Sequence, residues 1–405
     1  MLSHASWRLS RAAPLSPGVA LAVLLTTGCA GGADSGTELS PDHPWTLDGP
    51  EVRIGSLDDP DYLFGLVGAV VPGPDGFLYS LHPRDAVVRR WTADGTPAGT
   101  MGRPGQGPGE FTQPGRMGFF GDSLWVMDSG LNRASYFDLA GEFLGSVSPD
   151  ISLVGPNGRA VRPSYPLRDG TFAARPGAGS LQIATGELTE NPLMRVDAEG
   201  NALGTIWLEP YKPLDLLALL DEGGRGGMFS IQAFRDAPLR AALEHGLLVV
   251  DRAAWTGSGP ATIGVTGIDL AGDTMFARSF PYTPAPLASE RVDSVVRATT
   301  ERLSNYSEGD IRAATYRPSH VPPVGAIMAG RDGTIWLRRF DPTTTEGGEE
   351  VYEWWVLDAE GHPRARAVTP ARLRLRTILS DAVWGVERDE LDVEYIVRYR
   401  LVKGD

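Results

Sequence analysis

An all-β, six-bladed β-propeller is the fold this sequence predicts, on three observations. A turn followed by an apolar or aromatic strand recurs six times. It stands at Asp75-Gly76-Phe77-Leu78-Tyr79, Gly121-Asp122-Ser123-Leu124-Trp125, Asp169-Gly170-Thr171-Phe172, His245-Gly246-Leu247-Leu248-Val249, Asp332-Gly333-Thr334-Ile335-Trp336 and Ser380-Asp381-Ala382-Val383-Trp384. A second turn, an apolar residue and then usually Asp-x-x-Gly, follows in five of the six, ending at Gly95, Gly141, Gly200, Gly272 and Gly361. The composition agrees: Gly 50 and Pro 32 supply many tight turns, and 42% hydrophobic residues supply a core. Strand, turn, strand, turn, strand in six copies makes small twisted sheets whose faces can be buried only by their neighbours.

Before the first repeat stands a different kind of segment. Arg8 and Arg11 precede an apolar run over 15–25, followed by Thr26, Thr27, Gly28 and Cys29. This reads as a signal peptide over 1–28, too short to be a stable span. Cys29 is the sole cysteine and sits where a bacterial lipoprotein is acylated, with Thr26 departing from the usual Leu. Residues 29–44 read as the lipidated Cys and a flexible linker, and 45–405 as the propeller. The expected location is the cell envelope, outside the cytoplasm, with the membrane reached through the lipid anchor only.

Along the domain, 51–55 lies ahead of the first inner strand and has no blade of its own. The last blade, 372–401, lacks a second turn, so Val52 and Ile54 are expected to complete it and remove an exposed edge. The stretch GRPGQGPGEF, 102–111, falls between the first and second blades. It reads as the diagonal corner, its glycines and prolines setting the bends and Phe111 plugging the gap. Neither it nor GGRGG at 223–227 has the spacing or the following helix of a nucleotide-binding loop. Residues 214–220 are expected to form a short helical or lid-like insertion. Across 286–316, Val292, Val295, Val296, Thr299 and Leu303 fall on one helical face with Ser289 as an available N-cap, and a shorter helix is expected over 309–315.

Gly102, Gly105, Gly107, Gly109, Phe111 and Pro114, then Trp125-Val126-Met127-Asp128, Asn132-Arg133, Phe137-Asp138 and Gly141 resemble the repeat of NHL-type propellers. The wider chain is similar to six-bladed propeller lipoproteins of bacteria, including Val383-Trp384-Gly385-Val386, Asp389-Glu390 and the closing strand over 395–401. The resemblance implies a fold and an envelope location. It implies no activity.

Charge and motifs narrow the function classes. A formal net charge of -14, reaching -16 once 1–28 are removed, argues against a nucleic-acid binder. The six histidines have no metal-ligating spacing, cysteine-based structural zinc is excluded, and no G-x-S-x-G elbow exists. No cofactor or metal is expected. Acidic pairs such as Asp58-Asp59, Glu349-Glu350 and Asp389-Glu390 read as solvated loop charges, and Asn305-Tyr306-Ser307 as an unused sequon. Six-bladed propellers also house calcium-dependent lactonases and lyases, whose carboxylates converge on the channel. Here the inner-strand windows 68–71, 116–120, 162–167, 240–243, 325–329 and 374–379 hold no Asp, Glu, Asn or His. Aligned on their turns, they place Gly68, Arg116, Arg162, Arg240 and Gly325 at one level, with Arg376 near it. The expectation is therefore a monomeric binding module for a protein or small molecule, with Arg116, Arg162, Arg240 and Arg376 meeting an anion at the channel. A lactonase- or lyase-type propeller enzyme is the alternative, and a purely structural envelope protein a third reading.

Overall fold

The computed structural model describes residue 39 and residues 44–150, 152–155, 158–177, 188–210, 217–220 and 226–404. All belong to the compact unit Asp34–Asp405. The expected signal peptide, Cys29 and the GGRGG turn at 223–225 lie outside the described residues.

Short alternating strands joined by tight turns pair with their chain neighbours, so each sheet is an up-and-down antiparallel unit. Four such sheets have four strands each. The first holds Val70–Pro72, Leu78–His82, Val87–Trp91 and Pro97–Met101. The second holds Pro114–Phe120, Ser123–Asp128, Arg133–Phe137 and Phe143–Val147. The third holds Val161–Pro166, Phe172–Pro176, Glu190–Val196 and Ala202–Pro210. The fourth holds Leu239–Leu243, Gly246–Asp251, Thr262–Asp269 and Thr274–Pro281. Two short pairs stand apart, Arg103–Pro104 with Glu110–Phe111 and Leu217–Leu220 with Gly226–Phe229, and the other nine strands form one sheet, in which the N-terminal strand Pro44–Ile54 lies between Pro363–Pro370 and Glu394–Lys403.

The cores lie between sheets, which gives the molecule its propeller-like, all-β arrangement. Phe111, Met101 and Phe137 fill the first seam. Met127 and Phe172 fill the second, and Leu193 and Leu247 the third. Leu248 and Val324 join the fourth sheet to the nine-stranded one, and Ile54, Trp384 and Trp91 bring that sheet back against the first. Each sheet buries its faces against the next, and the sequence of seams closes on itself.

The turn signals take the backbone the sequence requires. The five second-turn glycines, four of them in Asp-x-x-Gly, have φ between +80° and +95°, a region a side chain resists. Gly246 is different: its φ is ordinary, but a Cβ there would stand 2.0 Å from the Ile268 carbonyl oxygen. The corner at 102–111 is also as expected. Phe111 is fully buried, and a Cβ on Gly102 would stand 2.2 Å from its ring. Arg133 fastens this corner by donating to the carbonyls of Gln106, Gly107 and Glu110. Beside it the buried carboxylate of Asp128 accepts from the backbone N–H groups of Thr112, Gln113, Gly130 and Leu131. Both residues belong to the NHL-like stretch, and the bonds give that motif a physical role.

Three boundaries differ from the sequence reading. The closing strand begins at Pro44 rather than 51, and within the expected linker Leu39 is buried against the fourth and nine-stranded sheets. Leu217–Leu220 is a strand paired with Gly226–Phe229, not a helix. A window of seven residues offers only about two helical turns, and the hairpin pairs its backbone groups instead. Helix α1, Ser289–Arg302, is N-capped by Ala288, so Ser289 is its first helical residue, while Ser307 caps α2, Glu308–Ala313, by accepting from Asp310 N–H. Val292, Val296 and Thr299 form the buried face of α1, as their spacing predicts.

Candidate functional site: an arginine-lined cavity

The first strands of the second, third and fourth sheets approach one another around a cavity of about 450 Å³. Five arginines line it, Arg116, Arg175, Arg235, Arg240 and Arg252, against one carboxylate, Glu209. In a protein of net charge -14 this is a local inversion of sign.

Each guanidinium is held differently. Arg175, at the end of the second strand of its sheet, donates to Oε2 of Glu209 at 2.7 Å. Arg240, from the neighbouring sheet, brings Nη1 to 3.0 Å from the same oxygen and stands 5.7 Å from the centre of the Trp207 ring. Glu209 is 3% exposed, so one buried carboxylate ties two sheets together. Arg252 spends its donors on the carbonyls of Ala237 and Val324, at 2.9 and 2.7 Å. Burial pushes its guanidinium down to about 10, against the pull of Asp236 and with a further push from Arg235. Arg116 is exposed at the rim, its guanidinium 5.2 Å from the centre of the Tyr165 ring. Arg235 is exposed too. Burial pushes the Tyr165 hydroxyl up, against the opposing fields of Arg116, Arg175 and Arg240.

Of the four arginines expected at one level, the fold brings Arg116 and Arg240 to this cavity. Arg162 pairs in register with Arg175, but its Nη1 donates to Oδ1 of Asn132 at 3.2 Å. Arg376 lies in the nine-stranded sheet and donates to the carbonyl of Val67 at 3.2 Å. A single ring of all four is therefore corrected to a pair. Both arginines that miss the cavity stand beside a bulge, between Pro163 and Tyr165 for Arg162 and between Leu375 and Thr377 for Arg376, and a bulge shifts the alternation of faces that an alignment on turns assumes to be unbroken. Arg175, Arg235, Arg252 and Glu209 were missed because none lies in an inner-strand window. One signal existed for Glu209, the lone charge in the apolar strand Ala202–Pro210.

Among the described residues, one group of side chains could gather around a metal: Asp358, Glu360 and His362, on an exposed hairpin turn. Oδ1 of Asp358 already accepts from the backbone N–H groups of Glu360 and His362, and His362 Nε2 lies 2.9 Å from the Arg278 guanidinium. These contacts account for the cluster as a turn. No helix among the described residues is long and apolar enough to cross a membrane.

Fold and cavity together define a class: an all-β, propeller-like protein with a cationic cavity between sheets. The sequence matches no family model and no curated protein. Among solved structures it is similar to a member of the duf4221 family from Bacteroides vulgatus, at 10% identity and a TM-score of 0.49, over 89% of this chain and 99% of that one. It is also similar to virginiamycin B lyase from Staphylococcus aureus, at 12% identity and a TM-score of 0.39, over 88% and 100%. A calcium-binding regucalcin from Agrobacterium tumefaciens aligns at 11% identity and a TM-score of 0.37, over 88% and 96%. At these identities and scores no residue role and no activity carries over.

Proposed function

We propose that this protein is a lipid-anchored, extracytoplasmic six-bladed propeller that binds an anionic ligand in the arginine-lined cavity. The observation that carries the binding reading is the excess of guanidinium there: five against one carboxylate, with Arg116 and Arg235 in no ion pair among the described residues. Such groups repel one another unless an anion compensates them. The count of six follows if the nine-stranded sheet is two blades fused through a two-residue parallel register, Pro44 with Arg366 and Trp45 with Ala367. Each part then has the four antiparallel strands of the others, with the N-terminal strand completing the last. An NHL-type kinship rests on the residues around 102–141. Binding is favoured over catalysis because the one cavity carboxylate, Glu209, is already engaged by Arg175 and Arg240, and burial pushes the Tyr165 hydroxyl further up from its ordinary range.

Titration calorimetry with glucuronate and glucose tests the site. Glucuronate is expected to bind, glucose not, and affinity to fall as salt rises. Arg116→Ala weakens binding about tenfold, while Glu209→Gln strengthens it by removing the internal competitor for Arg240. Equal heats from the acid and the neutral sugar would end this reading.

The anchor rests on Arg8, Arg11, the apolar run and Gly28-Cys29. Wild-type protein should partition with membranes and take up a palmitate analogue, and Cys29→Ser should do neither. Equal labelling of the two would place the acyl group elsewhere than Cys29, and a wild type without label would make this a secreted protein without a lipid.

A further inference from the structure

The five guanidiniums of the cavity are not equivalent, and their differences describe the ligand. Arg252 is committed to two backbone carbonyls. Arg175 and Arg240 share one oxygen of Glu209. Arg116 and Arg235 have no ion pair and no side-chain hydrogen bond among the described residues. They also reach the cavity from different places. Arg116 stands on the inner strand of the second sheet, beside Tyr165, and Arg235 stands in the loop ahead of Leu239–Leu243, where it also lines the cavity beside Arg252. The wall is completed by the Tyr165 ring, Leu193, Leu239 and Leu247, none of which offers a charge.

From this arrangement we infer that the ligand is a dianion: two acidic groups carried on a less polar frame, one met by Arg116 and the other by Arg235. The inference rests on the anionic reading of the cavity and sharpens it. A single carboxylate satisfies one open fork and leaves the other uncompensated beside a buried arginine. A dianion satisfies both, and each planar fork suits a carboxylate bidentately. Because the open forks stand on separate elements, the distance between the two acids matters, which makes chain length the discriminating variable.

The test is calorimetry on the full chain at pH 7 and fixed ionic strength. The probes are unbranched α,ω-dicarboxylates of increasing length, with monocarboxylates of the same lengths as partners. A dicarboxylate of optimal length should bind at least about tenfold more tightly than its monocarboxylate counterpart, and shorter and longer ones should fall away. Arg116→Gln and Arg235→Gln, both exposed positions, should each bring that dicarboxylate down to the monocarboxylate level. If mono- and dicarboxylates bind alike and Arg235→Gln changes neither, the dianion inference is overturned while the anion site stands. If no carboxylate of either kind binds, both fall together.

Discussion

Removing residues 1–55 is expected to leave a protein that cannot hold its fold. Strand Pro44–Ile54 pairs antiparallel with Glu394–Lys403 from Trp45 opposite Lys403 to Ile54 opposite Ile396. It feeds two different cores. Trp45 packs with Trp336, Trp354 and Leu401, and Ile54 packs with Leu78, Trp91 and Ile396 at the seam with the first sheet. Losing a buried Trp and a buried Ile costs roughly 5–10 kcal/mol together, comparable with the whole stability of a domain. The cut also strips Arg398 of its partner Glu51 and Arg400 of Asp48. Those exposed pairs contribute little beside the cores. A chain that begins at residue 39 keeps the strand and Leu39 and should melt like the mature protein. One that begins at 44 loses only the Leu39 contact and should lie between. Thermal melts of the three truncations check this, and three coincident curves would show that the N-terminal strand does not close the molecule.

Acid should act on the same seam through a histidine. His82 is fully buried, its Nε2 is 2.8 Å from the Ser80 hydroxyl, and that hydroxyl accepts from the Trp91 indole N–H. Phe64 covers the ring at 5.1 Å. Burial first, and then Arg89, lower the His82 pKa from 6.5 to about 3, with Glu394 pulling the other way. The folded protein therefore holds His82 neutral where the unfolded chain would protonate it. This contribution to stability is complete above pH 6.5 and is lost as pH falls from 6.5 towards 3, at about 1.4 kcal/mol per pH unit. Between pH 6.5 and 4.5 the loss from this one group is about 2 kcal/mol. Denaturant unfolding of wild type and His82→Gln across that range isolates it, because the carboxylates titrate in both proteins. The variant should show a flatter dependence whatever its stability at pH 7, and parallel curves would remove His82 from the acid response.

Much of this architecture was written locally. A glycine at Gly95 or Gly361 takes a positive φ because a side chain would be strained there, whatever lies beyond the hairpin, so the turns could be read residue by residue. The same holds for α1, whose apolar spacing fixes its buried face, and for the orphan strand ahead of the first repeat, which the incomplete last blade required. Phe111 was legible because a lone aromatic at the end of a glycine-rich corner has few places to go.

The cavity was not written that way. Arg116 and Arg162 occupy equivalent places in the sequence, yet one faces Tyr165 across the cavity and the other bonds to Asn132. Glu209, Arg175 and Arg240 come from three strands of two sheets and meet at one oxygen atom. Sequence alone determined the hairpin turns and most of the strands between them, since these depend on the conformational preferences of a few adjacent residues. Only the tertiary structure decided which charges meet. A single bulged residue turns a strand's faces over, and the convergence of side chains from separate sheets depends on where every bulge falls.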